Sequence, residues 1–534
     1  MPFHYQDLPM HRFSFLPFSL ITAAALTACG GGSHDGGGTG STGPLGDTVA
    51  VTASGRVISF NRTTPGTLAT SLPVSGLAAG ETLVGIDVRP ADRAIYAVSS
   101  QGRIFTLDAA SGALTLKSTL STPLAGTQVG VDFNPVADRL RLVSNTGQNL
   151  RVDVSTGVAV VDGAINGAAA SITASAYTNA FAGTTSTQLY NLDAAGTLYL
   201  QDPPNNGTLA NPVPLNVVFS ASNGFDIDAR NNVGYAALTV GGATQLYTVP
   251  LSGTAGAQRI GTIGAGDALV GLTLVPPAAP KVYVLHEAAR LASFALTAPN
   301  TLSSAVTIGG LAANETVVGV DFRPANGRLY ALTSAARVLT VDPDTGAATV
   351  ATVLAADPAD TTLPYAGLAG TRFTVDFNPV ADRLRVISDT GQSLRINVDT
   401  GLTTTDGAIN RATPAVVVAG AYTHSFAGST ATDLFDLEGN ENVLARQSPP
   451  NDGTLVNVGA VGVPLNGQAA FDIAGGANGL ALAALRDTNA GPFTLYTLSL
   501  ATGAATPFGA ANGAAFAQIG GAGGPVVRDI AIRY

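Results

Sequence analysis

Six aspartates recur at matching points of a duplicated pattern, and their type and spacing admit acid–base or cation chemistry. Asp87, Asp132 and Asp226 sit in the strand-like segments VGIDVRP, VGVDFNP and GFDIDAR; Asp321, Asp376 and Asp472 occupy the counterparts later in the chain. Converging carboxylates raise one another's pKa, which suits a general acid, or they hold a cation such as Ca2+. The alternative is structural: each aspartate accepts hydrogen bonds from a neighbouring sheet, or pairs with Arg89 or Arg323, two residues along its own strand. A second set is cationic. With a turn centred on Thr146, Arg141 stands opposite Arg151, and Arg385 opposite Arg395 in the second copy. Opposed like charges call for an anion between them, either a bound carboxylate or phosphate or a carboxylate of the protein itself, such as Asp132 or Asp376.

These residues need strands to position them, and the chain supplies strands at a regular period. VGIDVRP, VGVDFNP, ITASAYT, GFDIDAR and VGLTLVP align on Asp87, Asp132, Ala176, Asp226 and Thr273, at spacings of 44 to 50 residues. The later half gives Asp321, Asp376, Ala421, Asp472 and Ala531. Within one period VGIDVRP, AIYAVSS, RIFTLD and ALTLKS read as four alternating strands. The turn before the fourth strand is DAASG (108–112), DVSTG (153–157) or DPDTG (342–346). In such turns Asp satisfies local amides and Gly takes a positive φ. Four-stranded units of this length are those of propeller blades. The sequence therefore predicts an all-β protein of two tandem five-bladed β-propellers with four-stranded antiparallel blades. One ring of ten is the competing arrangement. In the two-ring arrangement ALVGLTLV (268–275) lies beside 47–60, and PVVRDIAIRY (525–534) beside 281–296.

The duplication is explicit. DFNPVADRLR stands at 132–141 and again at 376–385; DGAIN at 162–166 and 406–410; PPNNGTL at 203–209 returns as PPNDGTL at 449–455. These ordered motifs resemble the bacterial domain-of-unknown-function family numbered 4394, over nearly all of each copy, and that resemblance implies no activity. The expected organisation is a first propeller domain over 47–276, a Pro-rich linker at 277–280 and a second propeller domain over 281–534.

Ahead of the repeats, residues 13–25 (FSFLPFSLITAAA) are apolar and too short to span a bilayer, the shape of a secretory signal. Leu26-Thr27-Ala28-Cys29 resembles the bacterial lipobox, which implies cleavage after residue 28 and lipidation of Cys29, the only cysteine. Two or more acyl chains make such an anchor stable. Residues 29–46 then read as a lipidated Cys and a Gly/Ser-rich tether. Gly30 after the cysteine fits the pattern of outer-membrane lipoproteins. The expectation is an exported protein, lipid-anchored in the bacterial cell envelope.

Composition narrows the partners. A net charge of −10 disfavours nucleic acid. His286 and His424 stand alone, so no zinc constellation is visible. The chain carries no G-x-S-x-G elbow, P-loop or HExxH motif, and with no Trp it has few platforms for sugar stacking. The leading expectation is a non-catalytic binding or scaffold module for an envelope protein or small ligand. A hydrolase, glycan-active and using the six aspartates, is the alternative.

Overall fold

The computed structural model describes residues 44–168, 171–275, 280–465, 468–476, 478–486, 488, 491–509, 512–513 and 515–534. The predicted signal, Cys29, nearly all of the tether and most of the Pro-rich linker lie outside the described residues.

The protein is all-β. Its only helical turns among the described residues with assigned bounds are the two short 3-10 turns Pro204–Asn206 and Pro450–Asp452, each inside a PPNxGTL segment. Among the described residues the strands form ten antiparallel sheets, five in each tandem region; nine have four strands, and one gains a fifth, two-residue parallel strand. The recurring motif always supplies an edge strand. In the first region these motif strands are Leu83–Val88, Val129–Asn134, Ile172–Tyr177, Ala221–Asp228 and Leu269–Leu274. In the second they are Val317–Arg323, Phe373–Asn378, Val417–Tyr422, Ala470–Ala474 and Val527–Arg533.

One sheet in each region is composite. Leu269–Leu274 pairs with Thr48–Thr52, Thr48 opposite Leu274, so both ends of the first region share a sheet. Val527–Arg533 pairs in the same way with Lys281–His286, Lys281 opposite Arg533.

Burial explains the period. Motif strands are apolar on both faces because a sheet of this kind is covered on both sides. In the first region one core joins Tyr96 and Val98 to Phe133 and Leu142, and another joins Val143 to Ile172. A third joins Leu192 to Phe225, a fourth Ala237 to Leu272, and a fifth Val49 to Ile86. Each sheet thus packs against two others, and the second region repeats the scheme. Phe181 and Ala229 of the first region enter the core around Val282 and Phe294 of the second, so the regions share apolar contact.

The turns follow local chemistry. Asp108 accepts from the Ala110 amide and the Ser111 hydroxyl, and Gly112 takes φ 77° where an added Cβ would lie 2.2 Å from the Pro73 carbonyl oxygen. Asp153 and Asp342 make the equivalent amide contacts in DVSTG and DPDTG.

Candidate functional site

A motif strand is a sheet edge, and its outward amides have no partner in its own sheet. The aspartates answer that need. Asp87 Oδ2 accepts from Phe133 N at 2.7 Å, Asp132 Oδ1 from Tyr177 N at 3.0 Å, and Asp226 Oδ2 from Leu274 N at 2.7 Å. Each bond crosses to the next motif strand in order. Thr273 carries the step from Leu269–Leu274 back to Leu83–Val88 by accepting from Val88 N at 3.2 Å while donating to Asp87 at 3.0 Å. In the second region Asp321 accepts from Phe377 N, Asp376 from Tyr422 N and Asp472 from Ile532 N. Ala531 replaces Thr273 there and cannot accept. Asp529, two residues earlier on the same face, takes over by accepting from Val320 N at 2.9 Å. Sequence alignment on Ala531 missed Asp529; its signal was an acid two residues out of column.

The arginines two residues along do not pair with these aspartates. Arg89 is held by Asp138 and Asp92, and Arg323 by Asp382 and Asp399. The carboxylates instead lie close to one another. Asp87, Asp132 and Asp226 each bring one oxygen within 4.8 Å of the others, as do Asp321, Asp376 and Asp472, and all six are buried. Burial pushes every one of them up. Asp226 and Asp472 rise to about 6, and the other four go well above the usual carboxylate range, with like-charged neighbours adding to the effect. Each trio offers a cation three oxygens, against roughly six to eight around calcium. Most of the carboxylate oxygens already accept main-chain bonds, so the residues suit shared protons better than a calcium ion.

The opposed arginines stand in the expected register, Arg141 opposite Arg151 and Arg385 opposite Arg395. The anion between them is neither an external ligand nor Asp132 or Asp376. It is Asp162, which takes Arg141 Nη1 at 2.6 Å and Arg151 Nε at 2.7 Å, and in the second region Asp406, which takes both Arg385 and Arg395. Asp132 faces Arg141 across the strand pair, yet its carboxylate is directed to Tyr177 N. Arg141 also donates to Tyr177 Oη at 3.2 Å, Asn149 Oδ1 at 2.8 Å and Asn205 Oδ1 at 2.8 Å. Arg385 repeats this with Tyr422, Ser393 and Asn451. The three duplicated motifs therefore meet in one knot: arginine from DFNPVADRLR, aspartate from DGAIN, asparagine from PPNxGTL.

Access separates the two trios. In the first region Asp87 and Asp226 border a space of about 20 Å³. In the second, Asp321 and Asp472 border a cavity of about 530 Å³ shared between the regions. Asp228 and Arg230 reach it from the first region; Arg323, Phe426, Arg533 and Tyr534 line it from the second. The buried Tyr534 hydroxyl has no hydrogen-bond partner among the described residues, and its ring packs edge-on to Phe181 at 5.0 Å. His286 and His424 lie in neither trio; His424 Nδ1 lies 3.0 Å from the Thr423 hydroxyl.

A family model described as "Domain of unknown function (DUF4394)" matches residues 56–273 and again 290–520. No curated protein matches the chain. Among solved structures, the crystal structure of the computationally designed Ika8 protein aligns over 72% of this chain and 88% of its own, at 11% identity and a TM-score of 0.21. A score that low has no bearing on the fold.

Proposed function

Since the chain belongs to the DUF4394 family, whose description carries no activity, we propose from its site that it is a non-catalytic binding or scaffold module. It consists of two tandem five-bladed propellers, exported and held to the cell envelope through lipidated Cys29. The ring reading is supported by three features: every sheet packs against two others, each region's ends share a sheet, and the aspartate bonds step from one motif strand to the next. Closure of this kind shelters sheets that cannot bury both faces alone.

One observation carries the non-catalytic reading. In both regions the aspartates that a hydrolase would use hold main-chain amides of the neighbouring sheet. A carboxylate committed to an edge amide is a structural acceptor, and removing it orphans that amide. One ligand-sized space is the cavity between the regions, whose lining includes Arg230, Arg323, Arg533, Asp321 and Asp472. Its mixed charge suits a small polar ligand or a polar segment of an envelope partner.

The hydrolase reading keeps one supporting observation: Asp472, raised to about 6, borders that cavity and so resembles a general acid. Assay of the full chain against aryl glycosides, alongside Asp472→Asn, separates the two. The scaffold reading expects no turnover by either protein and a lower melting temperature for the variant. Turnover abolished by Asp472→Asn establishes the hydrolase instead. Anchoring is tested by detergent phase partition: the wild type is expected in the detergent phase and Cys29→Ser in the aqueous phase.

A further inference from the structure

The two copies differ in length at one crossing between sheets: the stretch from Leu354 to Asp376 is ten residues longer than that from Leu120 to Asp132. Both crossings begin alike. Ser121 N donates to the Gly157 carbonyl at 2.9 Å, and Ala355 N to the Gly401 carbonyl at 2.9 Å. In the second copy the added residues then run along the sheet edge. Ala355–Ala356 pairs in parallel with Leu402–Thr405, Asp357 N donates to the Thr403 carbonyl at 3.0 Å, and Asp360 Oδ2 accepts from Thr405 N at 3.0 Å. In the first copy Ser121 Oγ accepts from Ala159 N at 2.9 Å, and the chain turns off to Gln148, whose side chain donates to the Pro123 carbonyl at 2.9 Å.

The first copy's edge strand, Ala159–Val161, is thereby left open. The Val158 carbonyl and Asp162 N bond inward, to Asp153 N at 3.0 Å and the Asn149 carbonyl at 2.9 Å. Alternation along the strand turns the Ala159 carbonyl and Val161 N outward. Their counterparts, the Thr403 carbonyl and Thr405 N, are met by Asp357 and Asp360; among the described residues neither group of the first copy is met. The side chains differ in the same sense. Thr403 is buried and Leu402, Thr404 and Thr405 are half-buried, whereas Val158, Val160 and Val161 are 56%, 49% and 63% exposed. An uncharged edge of exposed β-branched side chains is a template for strand addition. The second copy displays the form that the addition takes: parallel, small residues against the edge, and an acid closing the last amide. We propose that Ala159–Val161 takes up, as a parallel strand, an extended Ala- or Val-rich segment of another protein with an acid following it, as LAADPAD (354–360) does on the matching edge. This edge shares no lining residue with the cavity between the regions.

The probe is a fluorescein-labelled peptide, LAADPADTT, copied from residues 354–362 and titrated with the full chain by fluorescence anisotropy. Saturable binding is expected. Val161→Pro removes the outward donor, at an edge position where proline is tolerated, and is expected to weaken binding at least about tenfold with the melting temperature unchanged. Val160→Asp keeps the main chain intact, sets a charge against the peptide's acids, and is expected to act in the same direction. A peptide carrying Asp360→Ala is expected to bind more weakly than the parent. No saturable binding, or full-strength binding by either protein variant, would overturn the proposal. So would a wild-type dimer on size-exclusion chromatography that Val160→Asp dissolves, because the edge would then belong to a second copy of this chain.

Discussion

Asp436 shows how far a single side chain has drifted between the copies. In the first region its counterpart Asn191 donates to Gln201 Oε1 at 2.5 Å and accepts from Ser175 at 2.6 Å. In the second, Gly420 replaces Ser175, Asp436 replaces Asn191, and both Asp436 oxygens and Gln447 Oε1 are left without partners among the described residues. Burial pushes the Asp436 carboxyl up to about 8, although Arg385 pulls the other way. A group whose pKa is raised on folding binds its proton more tightly in the folded state, so its contribution is lost as pH climbs from about 4 through 8. Asp436→Asn restores the amide donor that Gln447 lacks. The variant is expected to be more stable than wild type by ~1–3 kcal/mol at pH 9, with little difference at pH 4, by denaturant unfolding at the two pH values. At Asp529, Asp529→Ala strips the acceptor from Val320 N and is expected to cost ~1–3 kcal/mol.

Among the elements, the Asp162 and Asp406 knots hold three segments that are distant in sequence. Removing one partner of a buried ion pair strands the other charge. Asp162→Ala leaves Arg141 buried without a counter-charge and is expected to cost ~3–5 kcal/mol, whereas Arg151→Ala, at a half-exposed position, is expected to cost ~1 kcal/mol or less. Denaturant midpoints for the two variants compare these values directly. The strands, the turns and the Arg141/Arg151 register were legible because each depends on residues near in sequence and on a period of two. The counter-anion was not. Asp162 of DGAIN lies 21 residues from Arg141 and 11 from Arg151, and nothing local distinguishes it from the aspartates of the hairpin turns. Asp132, directly across the strand pair, looked the better partner because cross-strand proximity can be read from a sequence. The demand of the next sheet's Tyr177 amide cannot.

For the molecule as a whole, two sets of acids set opposite limits on pH. Glu81 and Glu315 are drawn down to about 2, chiefly by hydrogen bonds from Arg103 and Arg337. Their contribution is present above the ordinary glutamate value and is lost as pH falls toward 2. Asp226 and Asp472, raised to about 6, act the other way, losing their contribution as pH rises from about 4 through 6. Thermal melting is therefore expected to peak at roughly pH 4 and decline on both sides. A calcium-loaded trio would behave differently: melting at neutral pH would rise with added calcium and fall with chelator. Melting insensitive to both is expected from trios that share protons. The broad architecture was open to the sequence because the period and the duplicated motifs are covalent facts. The cavity was not, because it depends on how two regions meet through Phe181, Ala229 and Tyr534.

The composite sheets also impose an order on biosynthesis. Thr48–Thr52 leaves the ribosome, and crosses any membrane, more than two hundred residues before Leu269–Leu274 arrives to cover its free edge. Throughout that interval an apolar strand edge is bare, and the duplicated chain later offers a rival clasp in Val527–Arg533. Mispairing between equivalent clasps, within one polypeptide or between two, is the characteristic error of such a design. Gly271→Pro, which removes a main-chain donor from the proper clasp, is expected to shift purified protein toward strand-exchanged oligomers on size-exclusion chromatography.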